Sequence, residues 1–197
     1  MRYFTWRQLL SIVDGSWERL EFIKTTGFTT LKQGAAACKD PTIMFEVGCL
    51  SLIGDPRISA DPVVWFDAAA DRDHAGAIAI LGYLNEFGVK IDQNIDCAIQ
   101  LYERAALLEN VGAQYRLAYH LLRTHSATGE FHGFIRWCQK CALAGDSDGQ
   151  LLYGFAFRDG VGVKRNTASA YEWIKRSAEA GNADALDALS EWVDYET

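Results

Sequence analysis

The sequence contains little proline, no run of basic residues and no long apolar segment. Only 3 of its 197 residues are proline, whereas 49% are hydrophobic. This composition is typical of an ordered globular protein and not of a disordered one. No stretch approaches the roughly 18 consecutive apolar residues that a membrane-spanning helix needs. The sequence therefore predicts an ordered protein without a membrane partner.

Basic residues are too few and too scattered for a surface that binds nucleic acid. Lys and Arg number 19 against 26 Asp and Glu, which gives a formal net charge of −7. No cluster is long enough to neutralise several phosphates, so we expect no nucleic-acid partner. An acidic surface favours association with a basic protein surface, although a charge of this size also serves solubility.

An export signal and a disulfide framework are absent as well. The longest apolar run near the start, Leu9 to Val13, is too short for the core of a signal peptide and follows Arg7 and Gln8. The 5 Cys are an odd number, which fits free thiols in a reducing compartment. These observations predict a cytoplasmic protein.

The sequence does contain a repeat with a period of 36 residues. A small residue followed by an aromatic one occurs at Gly82, Ala118 and Gly154, each 36 residues after the last. A second series has the same period and consists of Trp65, Leu101, Trp137 and Trp173. Apolar residues at helical spacing around both series predict two helices in each unit, with the tryptophans in the core.

Residues that begin and end helices recur with the same period. Asn94 and Asn166 are equivalent, and the side-chain oxygen of each is expected to cap the second helix of its unit. Asp61, before Pro62, is expected to act in the same way. Gly145 and Gly181 stand after second helices, where a left-handed residue commonly ends a helix. The pattern predicts stacked helix pairs.

Residues 149–185 resemble the Sel-one-like (SEL) repeat, a relative of the tetratricopeptide repeat. The positions that match the family's pattern are Gly154, Phe157, Gly160, Gly162, Val163, Asn166, Ala170, Trp173, Ala178 and Gly181. Other units are more degenerate, with Lys90 in place of the second loop glycine and Thr124 in place of the first. The resemblance implies an all-α superhelical solenoid of antiparallel helix pairs over residues 41–192. A divergent helical cap is expected over 1–40 and a short tail over 193–197.

The same resemblance implies a concave surface lined by the first helix of each pair. Carried over to this sequence, the predicted binding residues are Tyr83, Glu86, Tyr115, Tyr119, Leu122, Arg123, Phe155 and Arg158. Aromatic and arginine side chains dominate binding hot spots, although some of these tyrosines could instead pack between helices. We predict a non-catalytic module without a cofactor that binds a protein partner, either as an adaptor or as an immunity protein against a toxin.

A zinc- or thiol-dependent enzyme is the alternative function. Cys138 and Cys141 have the spacing of a redox or metal motif, and His125 and His132 lie just upstream. The period, however, makes Cys138 equivalent to apolar core positions such as Ile174. Both thiols are therefore expected to be core residues, and no oligomeric state is predicted.

Two further segments have a chemical and a structural interpretation. Residues 71–74 combine two Asp with His74, but they follow a second helix, so we expect a solvated turn. The glycines of the segment 160–164 suggest a phosphate loop, yet Lys164 is equivalent to Asp92, which carries the opposite charge. We expect this segment to be the turn of a helical hairpin, where glycine permits a positive φ.

Overall fold

The structure is a computed structural model that describes residues 40–54 and 61–193. In those residues it has nine α-helices and no strand: α1 (Pro41–Leu52), α2 (Pro62–Ala70), α3 (Ala75–Phe87), α4 (Ile95–Leu107), α5 (Val111–His125), α6 (His132–Leu143), α7 (Ser147–Asp159), α8 (Thr167–Glu179) and α9 (Ala183–Val193). None of these helices is long and apolar enough to cross a membrane. The predicted all-α class is confirmed. The predicted N-terminal cap and C-terminal tail lie, apart from Asp40 and Val193, outside the described residues.

The chain forms two compact units, residues 1–110 and 111–197. In the first unit α1 packs on α2, α2 on α3 and α3 on α4. In the second unit each helix from α5 to α9 packs on the next one along the chain. Each unit is thus built from consecutive helix pairs, as the period predicts.

The second helices begin at the predicted capping residues. The backbone N–H of Cys97 donates to Asn94 Oδ1 at 3.0 Å, which caps α4. The N–H of Ser169 donates to Asn166 Oδ1 at the same distance of 3.0 Å and caps α8. Asp61 caps α2 through the N–H of Val63. Each bond satisfies a backbone donor that a helix N-terminus leaves unpaired.

A left-handed residue follows the second helix of every pair, even where the sequence has no glycine. Gly145 and Gly181 have φ values of 90° and 86°. The equivalent residues Asp73 and Glu109 have φ values of 56° and 63°. The turn is therefore a property of the repeat, and non-glycine residues adopt it at a cost of roughly 1 kcal/mol.

The loss of a loop glycine lengthens α5. Gly88 and Gly160, with φ values of 65° and 73°, end α3 and α7 as left-handed caps. Thr124 occupies the equivalent position in α5, and its hydroxyl donates to the carbonyl of His120 at 2.9 Å. The helix consequently continues to His125, and the chain reverses at Gly129, where φ is 73°.

Small residues in the first helices face large residues in the second. The distance from a Cβ placed on the glycine to the nearest side-chain atom is 2.6 Å for Gly48 and Phe66, 2.8 Å for Gly82 and Tyr102, and 2.6 Å for Gly154 and Ile174. No side chain larger than hydrogen fits at these positions without displacement. In the remaining pair Ala118 replaces glycine and Cys138 replaces the large residue, and both are fully buried.

The three tryptophans of the period are not equally buried. Trp137 is in the core with 6% of its surface exposed. The guanidinium carbon of Arg136 and the ammonium nitrogen of Lys140 lie over its ring, 5.1 and 5.0 Å from the centroid. Trp65 and Trp173 are only half-buried, so the prediction that they belong to the core was correct for Trp137 alone.

Candidate functional site

The predicted binding residues of the second unit form two rows, one on α5 and one on α7. Tyr119 and Phe155 are equivalent in the repeat, and each has an arginine beside its ring. Tyr119 is 36% exposed and Phe155 is half-buried. We call this surface, consisting of Tyr115, Tyr119, Leu122, Arg123, Phe155 and Arg158, the second-unit groove.

On α5 the helical spacing brings three side chains into one stack. The ring centroids of Tyr115 and Tyr119 are 6.5 Å apart, and the guanidinium of Arg123 lies 5.8 Å from the Tyr119 ring. The three residues are spaced at i, i+4 and i+8, and so lie on one side of the helix. Tyr115 and Leu122 are half-buried, whereas Arg123 is exposed.

On α7 the arginine is held more tightly. The guanidinium of Arg158 lies 4.3 Å from the Phe155 ring and donates two hydrogen bonds to Asp159, of 2.8 and 3.0 Å. These bonds raise the pKa of Arg158 and lower that of Asp159. Phe155 also packs on a buried cluster that includes Leu151 and Ile174, so the row is anchored in the core.

Acidic groups lie next to the α5 row. Burial raises the pKa of Tyr115, and the Asp148 carboxylate raises it further. Asp146 caps α7 by accepting a hydrogen bond of 2.6 Å from the N–H of Gly149. Burial nevertheless raises the pKa of Asp146 to about 6, against the lowering effect of that bond. The raised pKa keeps the Tyr115 hydroxyl protonated at neutral pH.

Tyr83 and Glu86, the two predicted binding residues of the first unit, are buried. They are 4% and 8% exposed. Because residue 82 is glycine, the ring of Tyr102 approaches α3 closely, and its hydroxyl donates to Glu86 Oε2 at 2.7 Å. Tyr83 stacks on Phe87, with ring centroids 4.4 Å apart. Neither residue offers a partner an open surface in this conformation.

His74 is not part of a solvated turn. Its Nδ1 accepts a hydrogen bond of 3.1 Å from the N–H of Ala77, so the imidazole caps α3. The ring is stacked on Phe45 at a centroid distance of 4.5 Å. Burial lowers the pKa of His74, which keeps Nδ1 free to accept. Asp71 and Asp73 are exposed as expected, and Asp73 forms an ion pair of 2.7 Å with Arg104.

Cys138 and Cys141 are fully buried core residues, as the period predicts. The Cys141 thiol donates to the carbonyl of Cys138 at 3.2 Å, and the Cys138 thiol lies 3.8 Å from the carbonyl of Gly149. Burial raises the pKa of both thiols, so neither is a thiolate at neutral pH. Among the described side chains no group of three or more His, Cys, Asp and Glu could hold a metal ion.

The glycine-rich segment 160–164 is the turn between α7 and α8. Gly162 has a φ of 69°, and a Cβ there would lie 2.6 Å from Ile135 Cγ1 and 2.7 Å from Phe131 Cβ. The glycine is therefore needed both for the backbone conformation and for contact with α6. Lys164 and Arg165 are exposed at the mouth of an open cleft with Phe157.

One row of the second-unit surface was missed by the sequence analysis. The register that selects Leu151 and Phe155 on α7 selects Asp187 and Glu191 on α9, 36 residues later, and both are exposed. The predicted binding residues ended at α7, so these two carboxylates were not among them. The signal that could have found them is the period itself.

Comparison with known proteins identifies the repeat. A sequence model of the family described as Sel1 repeat matches residues 75–110, 111–123 and 147–182. The second match stops one residue before Thr124, where the loop glycine is missing. A search of curated proteins found no match.

Solved structures share the fold. One is a protective antigen present in uropathogenic Escherichia coli strains that displays an SLR fold, with 25% identity and a TM-score of 0.74 over 84% of this chain. This chain spans only 36% of that protein. A Sel1 repeat protein from Oxalobacter formigenes has 22% identity and a TM-score of 0.74, over 88% of this chain and 74% of its own.

Proteins with Sel1 repeats are generally protein–protein interaction scaffolds. The 36-residue period, the confirmed helix pairs and the three matched segments agree with one another. Residues 75–123 and 147–182 of the chain are Sel1 repeats.

Proposed function

We propose that this chain is a non-catalytic protein-binding module whose partner contacts the second-unit groove. The observation that carries the proposal is the pair of aromatic–arginine stacks, Tyr119 with Arg123 and Phe155 with Arg158, on successive first helices. Phe155 and Tyr119 are equivalent in the repeat, so the two stacks present similar chemistry at a regular spacing.

Such stacks suit binding for two physical reasons. Aromatic and arginine side chains supply the largest contact energies at protein interfaces. A guanidinium that already rests on a ring has lost part of its rotamer freedom, so less entropy is lost when a partner binds. Arg158 is further restrained by its two bonds to Asp159.

Inhibition of a toxin is a narrower form of this proposal, and an adaptor role is the broader one. The identity of the captured partner distinguishes them, because an inhibitor retains one toxin whereas an adaptor retains members of an assembly. The alternative of a thiol-dependent enzyme is disfavoured by the complete burial of Cys138 and Cys141 and by their raised pKa values.

Affinity capture with a matched pair of variants tests the proposal. Tyr119→Ala combined with Arg123→Ala removes the α5 stack and is expected to abolish retention of the partner. Tyr171→Ala combined with Arg176→Ala is the control, because Tyr171 on α8 is 37% exposed against 36% for Tyr119 and Arg176 is likewise exposed. Equal retention by both double variants would contradict the assignment of the groove.

A further inference from the structure

The acidic row on α9 lies next to the aromatic row on α7. Leu189 and Trp192 of α9 pack on the same buried cluster as Phe155. The Glu191 carboxylate is close enough to raise the pKa of Arg158. Asp187 and Glu191 therefore continue the second-unit groove beyond α7 as a third row.

The charge of this third row is not compensated within the described part of the chain. Neither Asp187 nor Glu191 forms an ion pair with a described basic side chain, and α9 contains no Lys or Arg. Arg158, the cation whose pKa Glu191 raises, is already bound to Asp159. The two carboxylates are exposed and can bind a cation that a partner brings.

The α5 row carries an exposed cation, and the acids Asp146 and Asp148 lie near the same row, at Tyr115. Arg123 on α5 is exposed, and among the described residues no carboxylate pairs with it. The groove thus combines aromatic rings on α5 and α7 with two exposed carboxylates on α9, which favours a partner that carries both a basic and an apolar side chain.

We propose that the groove binds a protein segment that places a Lys or Arg side chain against Asp187 and Glu191 and an apolar or aromatic side chain against Phe155 and Tyr119. This inference rests on the proposed function and adds the chemistry of the partner. A second copy of the chain is disfavoured as the occupant, because its net charge of −7 would be repelled by the acidic row.

Selection of short random peptides displayed on phage, with the full chain as the target, tests the inference directly. Peptides that combine Lys or Arg with aromatic or large apolar residues are expected to be enriched. The charge-neutralising variant Asp187→Asn with Glu191→Gln should weaken the binding of a selected synthetic peptide about threefold to tenfold, as expected for two exposed ion pairs. The remaining affinity should depend less on salt than in the wild type.

A control variant carries the same change of charge elsewhere. Glu172→Gln with Glu179→Gln neutralises two exposed carboxylates on α8 and is expected to leave peptide affinity unchanged. Two outcomes would overturn the inference and leave the proposed function standing. In the first, the enriched peptides contain no basic residues. In the second, Phe155→Ala abolishes peptide binding whereas the Asp187 and Glu191 variant does not alter it. No enrichment at all, or binding insensitive to Phe155→Ala, would overturn both.

Discussion

A Cβ atom placed on Gly149 would lie 2.5 Å from the sulfur of Cys141. At the equivalent positions of the first unit both residues are alanine, Ala77 and Ala69, and both are fully buried. The repeat therefore fills the same volume in two ways, with two methyl groups or with one thiol and no methyl group. The Cys141 side chain thus fills the volume that the absent side chain of Gly149 leaves.

Gly149→Ala should consequently destabilise the protein, by about 1–3 kcal/mol, because the new methyl group overlaps a packed sulfur. Cys141→Ala alone should cost about 1 kcal/mol through the small cavity that it leaves. The double variant recreates the alanine pair and should recover most of the loss. Chemical denaturation of the four proteins measures this coupling, and additive effects would show that the two residues do not share a volume.

Asp146→Asn should change how stability depends on pH. The carboxyl has an ordinary pKa of 3.8 and a folded-state pKa of about 6, so between these values the folded chain binds more protons than the unfolded chain. The free energy of unfolding of the wild type should therefore fall as the pH rises from about 4 to about 6. Asparagine keeps the cap, as Asn182 does for α9, and removes the titration. Above pH 6 the variant should be about 1–2 kcal/mol more stable, and a wild-type profile that rises with pH relative to the variant would contradict this.

His74→Asn should also change how stability depends on pH, but the wild-type dependence due to His74 has the opposite sign to that due to Asp146. The folded-state pKa of His74 lies below the ordinary value of 6.5, because burial favours the neutral ring. Protonation also removes the acceptor that binds the N–H of Ala77. The contribution of the cap should be complete above pH 6.5 and disappear as the pH falls through the folded-state pKa. Asparagine should remove this slope at a constant cost of about 1 kcal/mol from the lost stacking on Phe45. Denaturation at pH 7 and pH 5 measures both, and an unchanged slope would exclude His74 as its source.

Features of the fold that could be predicted from the sequence depend on the local backbone. Asn166 caps a helix, and Gly181 follows the end of that helix. Every helix terminus favours residues of these types, so they recur with the period and can be predicted from it. The stack of Tyr119 and Arg123 is local in the same sense, since helical spacing alone brings the two together.

The burial of Glu86 could not be predicted in this way. It depends on Tyr102, a residue of another helix whose hydroxyl needs an acceptor, and on Gly82, which lets that ring approach. The pairing of Ala118 with Cys138 was hidden for the same reason, because the size of a residue on one helix is set by its neighbour on the next. The period alone therefore does not predict the burial or the size of a residue that contacts a second helix.

Groove and core residues should respond differently to truncation. Trp137→Ala should cost about 3–5 kcal/mol, because only 6% of the surface of this side chain is exposed. Tyr119→Ala with Arg123→Ala should lower stability by about 1 kcal/mol or less, because both side chains are exposed. Thermal midpoints measured on the two variants test the distinction. A collapse of the midpoint in the Tyr119 and Arg123 variant would assign these residues to the core.

Lys90→Gly should stabilise the protein, because Lys90 has a φ of 65° in the place that Gly162 occupies with a φ of 69°. A residue with a Cβ pays about 1 kcal/mol in this conformation, whereas glycine adopts it without strain. The gain should therefore be about 0.5–1 kcal/mol, reduced by the entropy that glycine adds to the unfolded chain. Gly162→Lys is the reciprocal change and should be far more costly, since its Cβ would also overlap Ile135 and Phe131. Urea denaturation of both variants decides the matter, and a loss of stability in Lys90→Gly would mean that contacts of the lysine stem outweigh the strain.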